Sequence, residues 1–160
     1  MASNALIDLG ASLQRRAQWL AVAESCTGGL IAAQITDISG ASGWFDRGIV
    51  SYSNRAKTEL LDVPDALIAA HGAVSGEVAC AMAAGLQRRA GVSWTLAVTG
   101  IAGPGGGTPE KPVGTVWIAW ADADGKVEAE HCLFAGDRTS VRQQTVDRAL
   151  AGLVGRVAVG

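Results

Sequence analysis

Histidine and cysteine are scarce in this chain, and that scarcity removes several kinds of chemistry at once. Its 160 residues hold two histidines (His71, His131) and three cysteines (Cys26, Cys80, Cys132). None stands at metal-ligand spacing from another, so no metal centre is expected. Three thiols far apart, with no Cys-x-x-Cys pair, argue against a disulfide framework and for a reducing compartment. Basic runs are missing too. The 13 lysines and arginines are scattered against 15 acidic residues, giving a net charge of −2, and no segment forms the footprint of a nucleic-acid binder. The apolar stretches are broken by Gly, Asp or Arg well short of a bilayer span. The first ten residues carry Asp8 and no basic segment, unlike a secretion signal. The expectation is a cytoplasmic protein without nucleic-acid or membrane partners.

Apolar residues make up 49% of the chain, with 21 glycines and five tryptophans. That composition and length fit one domain over residues 1–160 with a sizeable core. Leu6, Leu9 and Leu13 recur at helical spacing within Ala5–Arg16. Short apolar runs at Trp19–Ala23, Gly48–Tyr52 and Trp94–Thr99 read as strands. Helices are expected at Leu30–Ile38, Asn54–Leu61, from Pro64 to about Gly72, at Gly76–Ala90 behind a Ser75 cap, and at Arg138–Val154. Val113–Ala121 and Val127–Phe134 read as a hairpin turned by Asp124-Gly125. The order of elements predicts an α/β fold, a three-layer α/β/α sandwich around a mixed, mostly parallel sheet that includes this late hairpin.

Ligands in open α/β sheets bind beyond the carboxyl ends of the strands. Three polar loops begin at such ends: Glu24-Ser-Cys-Thr-Gly-Gly29, Tyr52-Ser-Asn-Arg-Ala-Lys57 and Thr99-Gly-Ile-Ala-Gly-Pro104. In the first, Ser25 lies just before an expected helix, where free N–H groups can receive an oxyanion. It is either a nucleophile or, like Thr27, a helix cap. Lys57 is a general base if desolvated and an ordinary surface lysine if not. Tyr52, the sole tyrosine, is a proton relay or a half-buried strand aromatic. The glycine-rich stretch from Gly100 to Gly107 either cradles a ribose or phosphate or is a surface loop; it is not a P-loop, because no Gly-Lys-Ser/Thr follows. Arg138 either clamps a phosphate or pairs with Asp137. Ser25 lacks the Gly-x-Ser-x-Gly setting of the α/β-hydrolase elbow, and no Lys-Thr-Gly accompanies Ser53 and Lys57.

Six segments, in order, resemble the CinA C-terminal domain family over essentially the whole chain. They are Ala23-Glu-Ser-Cys-Thr-Gly-Gly29, Gly48-Ile-Val-Ser-Tyr-Ser-Asn54, His71-Gly-Ala-Val-Ser75, Val98-Thr-Gly-Ile-Ala-Gly-Pro104, Lys111-Pro-Val-Gly-Thr-Val-Trp117 and Phe134-Ala-Gly-Asp-Arg138. The family includes amidohydrolases that convert nicotinamide mononucleotide to nicotinate mononucleotide and ammonia in NAD salvage. The resemblance implies Ser25 as nucleophile, Tyr52 and Lys57 as its activators, and Thr99 and Arg138 within the catalytic set. Cys26, Thr27, Gly28, Gly100, Gly103 and Gly105 are expected to meet the substrate, a small nucleotide. The resemblance further implies no metal or organic cofactor, a homo-oligomer and the single-domain form of the family. Two other readings fit the same loops: a nucleotide-binding or regulatory module without catalysis, and a hydrolase of a different amide.

Overall fold

Side-chain size alternates along the central strands, and this alternation decides how the layers stack. A computed structural model describes residues 3–160. It contains α1 (Ser3–Arg15), β1 (Leu20–Glu24), α2 (Leu30–Thr36), a 3-10 turn (Ala41–Gly43), β2 (Phe45–Val50), α3 (Asn54–Leu61), α4 (Asp65–His71), α5 (Gly76–Ala90), β3 (Trp94–Gly100), β4 (Thr115–Asp122), β5 (Val127–Leu133) and α6 (Arg138–Val159). The five strands lie in the order β2-β1-β3-β4-β5. β1 pairs in parallel with β2 and β3, and β4 pairs antiparallel with both β3 and β5. Four strands therefore point one way and β4 the other. This is the expected mixed α/β/α sandwich with its late hairpin.

Successive residues of a strand face opposite sides of the sheet. Leu20, Val22, Leu96, Val98, Val116, Ile118 and Trp120 enter the core shared with α1, α2 and α6. Ala21, Ala23, Ala97, Ala119 and Ala121 face α5 instead. Small side chains on that face let α5 approach closely, and α5 answers with Ala79, Ala83 and Gly85, all buried. Gly85 also lies against α3: a Cβ there would collide with the Leu61 carbonyl. Arg89 reinforces the contact by forking onto both oxygens of Asp62, at 3.0 and 2.7 Å.

Most element limits fall within one or two residues of those expected; the differences at β2, α6 and α2 have visible causes. β2 begins at Phe45 and ends at Val50, because Ser51 and Tyr52 leave the ladder; their carbonyls take hydrogen bonds from Lys57. α6 runs on to Val159: Gly152 packs under Trp120 inside the helix, so neither it nor Gly155 stops the coil. α2 ends two residues early, at Thr36, whose hydroxyl bonds back to the Ala32 and Ala33 carbonyls.

Substituting Gly85→Ala should force α3 away from α5, destabilising the fold by about 1–3 kcal/mol. Urea unfolding would show this as a lower midpoint at unchanged slope.

Candidate active site

The loops that follow β1, β2 and β3 meet at one end of the sheet around a cavity of about 250 Å³. Ser25, Cys26, Tyr52, Asn54, Lys57, Ala73, Val74, Thr99, Gly100, Ala102 and Arg138 line it. A second cavity of about 450 Å³, lined in part by Val113, Gly136 and Thr139, shares Ala102 and Arg138 with the first.

Lys57 is the organising group. Ser53 caps α3 by accepting from the Ala56 N–H, and this places Lys57 one turn into the helix, facing inward. Only 1% of the residue is exposed. Its Nζ stands 3.0 Å from Ser25 Oγ, 3.0 Å from the Ser51 carbonyl oxygen and 3.1 Å from the Tyr52 carbonyl oxygen. Burial holds its pKa below the ordinary lysine value, with the neighbouring Cys26 opposing that shift. An ammonium makes all three bonds as donor. A neutral amine keeps two N–H donors for the carbonyls and turns its lone pair to the serine hydroxyl. Among the described residues, Lys57 is the side chain hydrogen-bonded to Ser25 Oγ. The thiol of Cys26, beside it, is pushed up to about 11, chiefly by burial, so it stays protonated and does not compete as a nucleophile.

The Ser25 turn is shaped by left-handed glycines and by side chains other than the expected caps. Gly28 and Gly29 carry φ of +59° and +109°, a left-handed region that disfavours a Cβ. Gly29, without a side-chain cap of its own, opens α2. Neither Ser25 nor Thr27 caps that helix, because Glu24 does so. Its buried carboxylate accepts from the N–H groups of Gly29 (3.2 Å), Ile31 (2.9 Å) and Ala32 (3.0 Å), satisfying donors that every helix start leaves open. Thr27 is fully buried, and its hydroxyl oxygen has no hydrogen-bond partner. On the other side of the turn, Arg142 donates through Nε to the Cys26 carbonyl (3.0 Å) and through Nη2 to the Thr27 carbonyl (3.1 Å).

The remaining expected residues divide. Tyr52 is exposed, and its hydroxyl accepts from Arg138 at 3.2 Å; it contacts Lys57 through its carbonyl only. Thr99 is buried at the cavity wall and donates to the Ala73 carbonyl at 2.9 Å. Arg138 opens α6 and also donates to the Gly103 carbonyl at 2.8 Å. Asp137 is taken up as the cap of α6 through the Ser140 N–H. Gly100 reaches the cavity; a Cβ there would lie 2.7 Å from Val116 Cγ2 and 3.2 Å from Cys26 Sγ. Gly103 contributes its carbonyl to Arg138, while Thr27, Gly28, Gly103 and Gly105 are not part of the lining.

Glu24 and Arg142 escape a reading of local pattern. A carboxylate closing an apolar run looks like a solvated strand end. Arg142 has a usable signal, since it lies four residues after Arg138 and so on the same face of α6.

A family model described as the CinA C-terminal domain matches residues 4–157. A CinA-like protein from Akkermansia muciniphila is 58% identical over 134 residues, which cover 84% of this chain and 32% of that protein. This chain thus spans about a third of that relative's length. Nicotinamide-nucleotide amidohydrolase PncC from Enterobacter agglomerans is 52% identical over 138 residues, covering 86% of this chain and 84% of the relative. The crystal structure of a competence/damage-inducible protein from Agrobacterium tumefaciens superimposes with a TM-score of 0.92 at 40% identity, covering 95% of this chain and 93% of that one.

Glu24→Gln replaces one accepting oxygen with an amide that must face an N–H donor. A loss of about 1–3 kcal/mol is expected. For a chain of this length that is a fall of several degrees in the thermal midpoint, which calorimetry would read.

Proposed function

This chain belongs to the CinA C-terminal domain family, and from that premise we propose that it hydrolyses the carboxamide of nicotinamide mononucleotide, releasing ammonia and nicotinate mononucleotide. The observation that carries the reading is the 3.0 Å contact between Ser25 Oγ and a buried lysine amine whose other two directions are fixed on carbonyls. Similarity to PncC proteins that cover most of the chain supports the choice of substrate.

In this mechanism the neutral Lys57 amine takes the Ser25 proton as Oγ attacks the carboxamide carbon. Negative charge develops on the former carbonyl oxygen. The Gly28 N–H already donates to the Ser25 carbonyl at 3.1 Å, so the N–H groups of Cys26 and Thr27 are the oxyanion donors of the turn. Lys57 returns the proton to the departing nitrogen, and ammonia leaves an ester on Ser25. Water then attacks that ester, passing a proton to Lys57. As the second intermediate collapses, Lys57 returns that proton to Ser25 Oγ, and the released acid loses its own proton to solvent as the carboxylate. Every step uses groups of this chain and water.

Arg138 lines both cavities and is the group placed to hold the ribose phosphate while the ring amide sits at Ser25. Binding energy from that remote contact would be spent on orienting the amide. Tyr52 acts through its carbonyl on Lys57 and through its hydroxyl on Arg138, linking the two ends of the substrate.

Ser25→Ala should lower ammonia release from nicotinamide mononucleotide by at least about a thousandfold while leaving the circular dichroism spectrum intact. Retained turnover would exclude Ser25 as nucleophile. Because the base must be unprotonated and burial lowers its pKa, kcat/KM should rise with pH and level off below the ordinary lysine value of 10.5. A rising limb centred at or above that value would contradict a desolvated Lys57.

A further inference from the structure

The geometry points to Arg142 as the positioning residue that sets the orientation of the oxyanion donors beside Ser25. Its substrate arm rests on the deamidation reading above; its structural arm does not. A trans peptide is planar, with C=O and N–H pointing in opposite directions. Fixing a carbonyl therefore aims the N–H of the following residue.

Three consecutive peptides of the turn are set in this way. Arg142 Nε holds the Cys26 carbonyl at 3.0 Å, which turns the Thr27 N–H to the opposite side. Arg142 Nη2 holds the Thr27 carbonyl at 3.1 Å, and this turns the Gly28 N–H away from Arg142. That N–H donates to the Ser25 carbonyl at 3.1 Å. Holding the Ser25 carbonyl in turn aims the Cys26 N–H. One planar guanidinium thus orients both proposed oxyanion donors, one directly and one through the Gly28 bond. A lysine, with a single compact point charge, does not reproduce the fork.

The turn has one further backbone restraint, the Leu30 N–H donating to the Thr27 carbonyl at 3.1 Å, while the Cys26 carbonyl takes its bond from Arg142. Its two glycines impose no side-chain restraint, and the Thr27 hydroxyl has no partner. Glu24 secures the helix side of the turn through Gly29, Ile31 and Ala32, not the peptides at Cys26 and Thr27. Arg142 itself does not line the cavity, so it acts on the reaction only through the turn.

The experiment compares wild type, Arg142→Lys and Arg142→Ala in two ways. Steady-state ammonia release from nicotinamide mononucleotide should show kcat lower by about a hundredfold with KM changed less than about threefold, since the substrate contacts remain. A kcat within threefold of wild type, or a loss carried by KM, overturns the inference. Amide hydrogen exchange followed by NMR gives the arm that needs no substrate. Exchange at Gly28 should quicken at least tenfold in Arg142→Lys, while amides of α5 stay protected. Unchanged Gly28 exchange overturns the inference whatever the substrate proves to be. Wild type that turns over no nicotinamide mononucleotide, with Gly28 exchange altered in Arg142→Lys, defeats the deamidation reading and keeps Arg142 in its role. If Arg142→Ala does not fold, Arg142→Lys carries both measurements.

Discussion

A buried amine held between one hydroxyl and two carbonyls is the constraint around which the rest of the site is arranged. Water would solvate a lysine well and leave it protonated. Here α3 delivers Lys57 under the sheet edge, and the chain beyond β2 leaves its ladder to offer the Ser51 and Tyr52 carbonyls. Those two bonds do more than satisfy a buried polar group. They define which direction is left for the lone pair, and Ser25 Oγ occupies that direction. Desolvation lowers the pKa, and geometry makes the resulting lone pair useful. Either effect alone gives only a buried lysine or an exposed one.

Opposite charges secure the two flanks of the Ser25 turn. The Glu24 carboxylate collects N–H groups at the start of α2, while the Arg142 guanidinium collects carbonyls. Together they hold a turn whose glycines leave it few conformational restraints. The arrangement also accounts for Cys26. Its thiol lies at the cavity beside Ser25, yet burial raises its pKa so far that the thiolate is negligible near neutrality. A helix N-terminus ordinarily favours a thiolate, but here the Glu24 carboxylate occupies that position and itself disfavours a neighbouring negative charge.

Much of the fold was legible because its punctuation is local. α3 and α5 have the limits expected from sequence, each opened by a serine cap, and a left-handed Gly91 closes α5. The hairpin likewise follows from Asp124-Gly125, whose glycine has φ of +86°. β2 was less legible because it is an edge strand whose Asp46-Arg47-Gly48 is solvated, so no apolar run marks its start. The site divides in the same way. Ser25 follows β1, Thr99 lies at the end of β3, and Lys57 and Arg138 lie in the first turns of α3 and α6, all within recognisable segments. What joins them is tertiary: a 3.0 Å bond between residues 32 apart in sequence, and an arginine reaching 116 residues back to Cys26. The hydroxyl of Tyr52 shows the limit of position as a guide, since it stands in the right loop but engages Arg138.

The depressed Lys57 pKa has a consequence for the fold as well as for the reaction. An unfolded chain keeps the lysine proton up to the ordinary 10.5, whereas the folded chain releases it earlier. Between those two values the unfolded state binds more protons, so stability rises with pH across that window. Below the folded pKa the penalty for burying an ammonium is present in full, offset in part by its three hydrogen bonds. The helix that carries Lys57 therefore works against a standing tendency to release it to solvent. α3 is short, at eight residues, and its own hydrogen bonds are a weak restraint. What retains it is packing against α5, where Gly85 admits the Leu61 backbone and the Arg89 fork fastens Asp62 just beyond the last turn. The close-packed small-residue face of the sheet thus serves the site, because it keeps an ill-solvated amine within hydrogen-bond reach of the Ser25 hydroxyl.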